Sequence, residues 1–267
     1  MSRILILSSY VTIGHVGLSA GQPVCQKLGI NVTAIPTVVL SNHHGWPDVA
    51  QVPIEAAQIV RMTEALSTNG WLAGHSSVLV GYMPSAGHVD AAVDLVCRTK
   101  AVSSESKVII DPILGDYPKG LYVPEDIATA IRDTLLPLAD VITPNLFELE
   151  WLSGQECQNL DNAITAAKSL GVDKVHVTSA PSGPNETGIL SLDGSEVSHF
   201  QTREYSDVPH GIGDAFAAMI AADLTVGQAL GHVLALARSS QGRSHLEIVN
   251  ASENWVTAPE IATTKKD

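Results

Sequence analysis

Basic residues are scarce in this chain. Its 267 residues include 15 lysines and arginines against 28 aspartates and glutamates, a formal charge of -13. So acidic a surface is a poor match for nucleic acid or for anionic membrane, and both are excluded as non-specific partners. A nucleotide is still allowed, because local backbone N–H groups and a metal ion can hold its phosphates. Cysteine is scarce as well. Cys25, Cys97 and Cys157 are far apart, odd in number and without metal-ligand spacing. Reduced thiols and a cytoplasmic location are expected. No apolar run reaches the ~20 residues of a membrane span, and the Met1 to Leu7 run is too short for a signal peptide. It reads as a first buried strand.

Familiar nucleotide fingerprints are absent too. There is no Gly-x-x-x-x-Gly-Lys-Ser/Thr, so a P-loop enzyme is excluded. Gly14-His15-Val16-Gly17 lacks the spacing of a dinucleotide-binding turn. His43 and His44 are adjacent and, on a strand, would point to opposite faces, so they are not expected to share a metal ion.

What the chain does have is apolar content, 45% against 16% charged, in alternating strand and helix patterns. Apolar, β-branched runs at 3–9, 31–40, 77–82, 107–112, 140–144 and 174–179 predict strands. Helices are expected over 23–28, 54–69, 86–100, 124–135, 146–152, 162–170, 214–224 and 226–239. Gly188 to Leu192 and Glu196 to Gln201 predict a hairpin around Asp193-Gly194. Such alternation implies an α/β protein, a mostly parallel sheet with helices on both faces, here as one domain over 1–267. The tail from Glu253 to Asp267 is expected to fray. Ligands of such sheets bind beyond the carboxyl ends of the strands. Ser9, Asp111, Thr143 and Thr178 are expected at those ends.

The segment Pro209-His210-Gly211-Ile212-Gly213-Asp214 leads into an apolar helix. Glycines let backbone N–H groups converge, and a helix N-terminus favours negative charge. Gly211, Ile212 and Gly213 can therefore form an anion hole, with Asp214 placed to take a proton from an attacking hydroxyl. The same run can equally be a plain turn with an acidic cap. Asp111 and Glu148 are candidate Mg²⁺ holders, since Mg²⁺ prefers oxygen ligands. Alone, each is also explained as a turn acid or a helix-start acid.

Together these segments resemble the pyridoxal kinase branch of the ribokinase superfamily. The resemblance rests on Ser9 with Gly14-His15-Val16-Gly17, on Thr37 to His43, on Gly81-Tyr82, and on Asp111 to Asp116 with Gly120 to Pro124. It also rests on Thr143 to Glu150, on Val177-Thr178-Ser179 and on Gly211 to Asp214. It implies a ribokinase-like three-layer sandwich, and transfer of the γ-phosphoryl of ATP to the 5′-hydroxymethyl group of pyridoxal, pyridoxine or pyridoxamine. By position, Asp214 would be the base and Gly211 to Gly213 the anion hole. Asp111 and Glu148 would act on the Mg²⁺–phosphate side, and Thr143, Thr178 and Ser179 would line the nucleotide site. Ser9, His43, His44 and Tyr82 would surround the vitamer. The family is usually a homodimer and often uses a monovalent cation such as K⁺. Leu18 stands where the family usually has Asn, and His44 where many members have Thr. The rivals are a hydroxymethylpyrimidine kinase, disfavoured by the Ser-Asn-His segment and Gly81-Tyr82, and a non-catalytic B6-vitamer binder, disfavoured by Asp214 and its glycines.

Overall fold

The computed structural model describes residues 3–264. Its first half runs β1 (Arg3–Val11), α1 (Leu18–Lys27), β2 (Asn31–Leu40), β3 (Gln51–Pro53), α2 (Ala56–Thr68), β4 (Ser77–Val80), α3 (Ala86–Val102) and β5 (Lys107–Ile110). A small hairpin of β6 (Gly115–Asp116) and β7 (Gly120–Leu121) follows, then α4 (Glu125–Ala130) and β8 (Val141–Ile142). The second half runs α5 (Leu146–Ser153), α6 (Leu160–Ser169), β9 (Lys174–Thr178), β10 (Glu186–Asp193), β11 (Glu196–Arg203), α7 (Ile212–Ala221), α8 (Val226–Ser240) and α9 (Ser252–Val256).

The main sheet has nine strands in the order β11-β10-β9-β8-β5-β4-β1-β2-β3. From β9 to β2 neighbouring strands are parallel, while β10, β11 and β3 are antiparallel additions at the two edges. Side chains alternate between faces, so both faces of a covered sheet must be apolar. Leu5, Leu7, Val78, Val80, Val108 and Ile110 pack with Ile59, Leu95, Leu149 and Ala166 of α2, α3, α5 and α6. Ile4, Ile6, Leu79, Ile109 and Val141 pack on the other face with Val24, Phe216, Leu236 and Trp255 of α1, α7, α8 and α9. The helix starts carry their own signals. Asn145 and Glu148 form a capping box on α5, and Thr225 and Gln228 form another on α8. Gly154 ends α5 in the left-handed region at φ 68.

Several expectations need correction. The first helix begins at Leu18, not near Pro23, and contains Gly21. A Cβ on Gly21 would lie 3.3 Å from Ile6 Cδ1 and 3.4 Å from Ala218 Cβ, so this glycine serves close packing inside a helix rather than a turn. Ser9 is not at a strand end. It lies inside β1, where the pairing with β2 shifts register between Ser8 and Tyr10. His43 and His44 lie beyond β2, in a turn rather than on a strand. Strands β3, β6 and β7 were not anticipated, being too short to show a period. The expected helix over 124–135 is α4 followed by a π-turn at Ile131–Leu135. The chain after Glu253 is tied down as far as Thr264, with Trp255 fully buried, Ile261 N–H on Gly227 O, and Thr264 N–H on His199 O. Residues 265–267, like Met1 and Ser2, lie outside the described residues.

Candidate active site

The site begins at the N-terminus of α7. Gly211 is its cap, at φ 111, and a Cβ there would lie 1.8 Å from the His15 carbonyl oxygen. Only glycine fits that approach. Ile212, Gly213 and Asp214 fill the first turn, and no side chain caps it. The N–H groups of Ile212 and Gly213 find no acceptor among the described residues. Gly213 is different from Gly211. It is exposed, it has no positive φ, and a Cβ would meet nothing within 4 Å. The protein's own packing does not require glycine here, and the open space lies over free backbone donors at the positive end of a helix.

Asp214 is half-buried, with its carboxylate closely surrounded by protein. Loss of hydration pushes its pKa up to about 6, against the opposing pull of N–H groups from Gly17 and from Asp214 itself. Gly17 holds this position at φ 55, with ψ -131, because a Cβ would lie 2.3 Å from Ser9 O. Ser9 is buried, and its Oγ packs against Gly17, one contact away from the base.

Two further acids stand beyond neighbouring strand ends. Asp111 follows β5 and is buried, and its pKa is raised well above normal, first by burial and then by the charges of Glu148 and Asp214. Thr143 follows β8. Its hydroxyl opposes that rise, yet makes no other well-formed hydrogen bond among the described residues. Glu148 is buried in α5, and burial raises its pKa to about 7. Its oxygens already serve the backbone: Oε1 accepts from Leu114 N at 2.8 Å and Oε2 from Asn145 N at 2.8 Å. Among the described residues no three His, Cys, Asp or Glu side chains form a metal nest. A pair of acids still suits Mg²⁺, which keeps water and phosphate oxygens as its other ligands. Thr178 ends β9, and Ser179 after it is exposed with φ 52. Thr143, Thr178 and Ser179 thus lie past adjacent strands, on the Asp111 side.

On the other side of Gly211 is a pocket of about 230 Å³. Its walls include Val11, His15, His43, Trp46, His210 and His245. His43 and His210 stack at 4.3 Å with 28° between the rings. Gly45 N–H donates to His43 Nδ1 at 2.9 Å, which leaves Nε2 as the donor nitrogen. Burial lowers the His43 pKa to about 4 and lowers that of His210 as well. Tyr82 packs beside the pocket with Val11 and Val16 and does not line it. His44 is exposed and is not among the residues that line the pocket. Leu18 is buried in the core cluster of Ile4, Ile6 and α7 and is not among the residues that line the pocket. His15, Trp46, His210 and His245 were not singled out from the sequence. His210, next to the glycine run, and His15, inside Gly14-His15-Val16-Gly17, are the two with a local signal.

The β6–β7 hairpin connects the two sides. Its root stands on α5: Glu148 holds Leu114 N–H, Asn145 Nδ2 donates to Gly115 O at 2.8 Å, and the Tyr117 hydroxyl donates to Glu150. The Tyr117 ring meets Phe147 edge-on at 5.3 Å. The charge of Lys119, at the hairpin tip, reaches His43 and His210.

The layers, the strand order and a site past the strand ends make this a ribokinase-like α/β protein. Comparison with known proteins defines it further. The chain belongs to the phosphomethylpyrimidine kinase family, whose model matches residues 17–241, and within it to the pyridoxal kinases. It is 32% identical over 284 residues to a pyridoxal kinase of Rubrobacter xylanophilus, covering 96% of this chain and 94% of the relative. It is 33% identical over 233 residues to a pyridoxine/pyridoxal/pyridoxamine kinase of Bordetella avium, covering 85% and 79%. Among solved structures, a Leishmania donovani pyridoxal kinase in complex with ADP and pyridoxine superposes with a TM-score of 0.90 at 28% identity, covering 97% of each chain. An Entamoeba histolytica pyridoxal kinase gives 0.91 at 25% identity, covering 99% of each chain.

Proposed function

We propose that this protein is an ATP-dependent kinase acting on the 5′-hydroxymethyl group of pyridoxal and related B6 vitamers. One observation carries the proposal: Asp214, its pKa raised to about 6, sits in the first helical turn beside open backbone donors over Gly213. The acceptor hydroxyl oxygen forms a bond to the γ-phosphorus while the bond from that phosphorus to the bridging oxygen of ADP breaks. The hydroxyl proton passes to Asp214. The N–H groups of Ile212 and Gly213 face the charge that builds on the phosphoryl oxygens. Asp111 and Glu148 would serve Mg²⁺, Glu148 with the capacity left by its backbone contacts, and the bound ion would neutralise phosphate charge. Thr143, Thr178 and Ser179 would meet the nucleotide. Ser9, His43 and Tyr82 would meet or back the vitamer ring, with His43 Nε2–H as a ring donor.

The test is ADP release with Mg²⁺, ATP and a panel of pyridoxal, pyridoxine, pyridoxamine and hydroxymethylpyrimidine. Turnover of at least one B6 vitamer, well above hydroxymethylpyrimidine, supports the reading. Turnover of the pyrimidine alone would move the reading to a hydroxymethylpyrimidine kinase. Vitamer binding without turnover would leave only a carrier.

A homodimer is part of the same reading. Tyr10 of β1 and Val52 of β3 both pair with Val39, so the three share one face of the sheet edge, and Tyr10 and Val52 are exposed. Light scattering of the wild type and of Val52→Asp checks this pairing: a dimer that dissociates in the variant supports it, and a wild-type monomer refutes it.

A further inference from the structure

We propose that Lys119 is a further catalytic residue, whose ammonium contacts the phosphoryl group as it passes from nucleotide to acceptor. The inference rests on the kinase reading above. The site is short of positive charge. Asp111, Asp116, Glu148 and Asp214 gather around it, and among the described residues none of these four acids has a lysine or arginine ion-pair partner. An incoming ATP adds more negative charge to a set of acids already pushed toward protonation. Arg98, Lys100, Lys107, Arg132 and Lys174 are spent in ion pairs elsewhere.

Lys119 is exposed and has no ion pair among the described residues. Its charge is felt by His43 and His210, the stacked pair in the pocket wall, and His210 immediately precedes the Gly211 cap of α7. The hairpin that carries it is rooted on α5, the helix that also holds Glu148. One short arm therefore stands on the nucleotide side and ends on the acceptor side. A flexible ammonium at that tip can follow a phosphoryl group between the two, and it has no competing carboxylate to release first. The neutral His43 and His210 offer it no such competitor either.

The experiment compares wild type, Lys119→Met and Lys119→Arg, using kcat and KM for pyridoxal and ATP, thermal melts, and affinities for pyridoxal and pyridoxal 5′-phosphate. Lys119→Met should melt like wild type, since the side chain is exposed and unpaired. Its kcat should fall at least about tenfold with KM for pyridoxal within about threefold, as expected for loss of charge stabilisation felt at the transition state. Affinity for the phosphorylated product should drop at least about fivefold while that for pyridoxal holds, and Lys119→Arg should recover most of both losses. A Lys119→Met enzyme within about twofold of wild type in kcat overturns the proposal. So does equal loss of affinity for pyridoxal and its phosphate, or an Arg variant no better than Met. A wild type that turns over no vitamer fails earlier, at the kinase reading itself.

Discussion

Adding one methyl group at Gly213 separates folding from chemistry at this site. In the described structure the new Cβ meets no protein atom within 4 Å, and the residue is helical without a positive φ. Alanine is the better helix former, so Gly213→Ala should fold normally and gain up to about 1 kcal/mol. The methyl group would instead fill the space over the free N–H groups of α7, where the phosphoryl oxygens are to sit. Removing one donor of such an anion hole costs about 10²-fold to 10³-fold in kcat, or roughly 3–4 kcal/mol of barrier. Thermal melts and steady-state kinetics on the same preparation give both quantities. A more stable enzyme with kcat down at least about 10²-fold fits the reasoning. A Gly213→Ala enzyme with unchanged kcat would refute it, because the open space would then have no part in phosphoryl transfer. Gly211→Ala is the contrast, since its Cβ would lie 1.8 Å from His15 O and folding itself should suffer.

Further outcomes follow from the same geometry. Asp214 must be ionised to accept a proton, and its pKa is raised to about 6, so kcat/KM should fall as pH drops through 6, by about tenfold per unit below it; a rate flat to pH 5 contradicts this. A folded-state pKa above the unfolded value means stability present at low pH and lost as pH rises through about 6, so Asp214→Asn should raise the melting temperature at pH 8 more than at pH 5. Gly17→Ala places a Cβ 2.3 Å from Ser9 O at a backbone angle suited to glycine, and should cost at least about 1–3 kcal/mol in denaturant melts while impairing kcat through displaced Asp214.

The fold was largely legible because a covered parallel sheet writes itself in continuous apolar strands. Ile4 to Leu7, Val78 to Val80 and Val108 to Ile110 feed both cores at once. The errors share a cause. A helix starting near Pro23 leaves out Gly21, which is a helix residue pressed against Ile6 and Ala218, a fact of tertiary packing that no local pattern carries. The short β3, β6 and β7 are too brief for periodicity and exist through their neighbours. At the site, acids beyond strand ends could be expected from sequence position alone. The pocket wall was legible only at His43, through the family resemblance: His15, His210 and His245 come from other separated segments, and only folding brings them together.

The central claim is that Asp214 is the base of an ATP-dependent kinase for a B6 vitamer. Asp214→Asn tests it most directly, with product formation measured in a single turnover alongside equilibrium binding of ATP. The account predicts a transfer rate reduced by about 10²-fold to 10⁴-fold with ATP affinity close to that of the wild type. Transfer at the wild-type rate in the Asp214→Asn enzyme would contradict it.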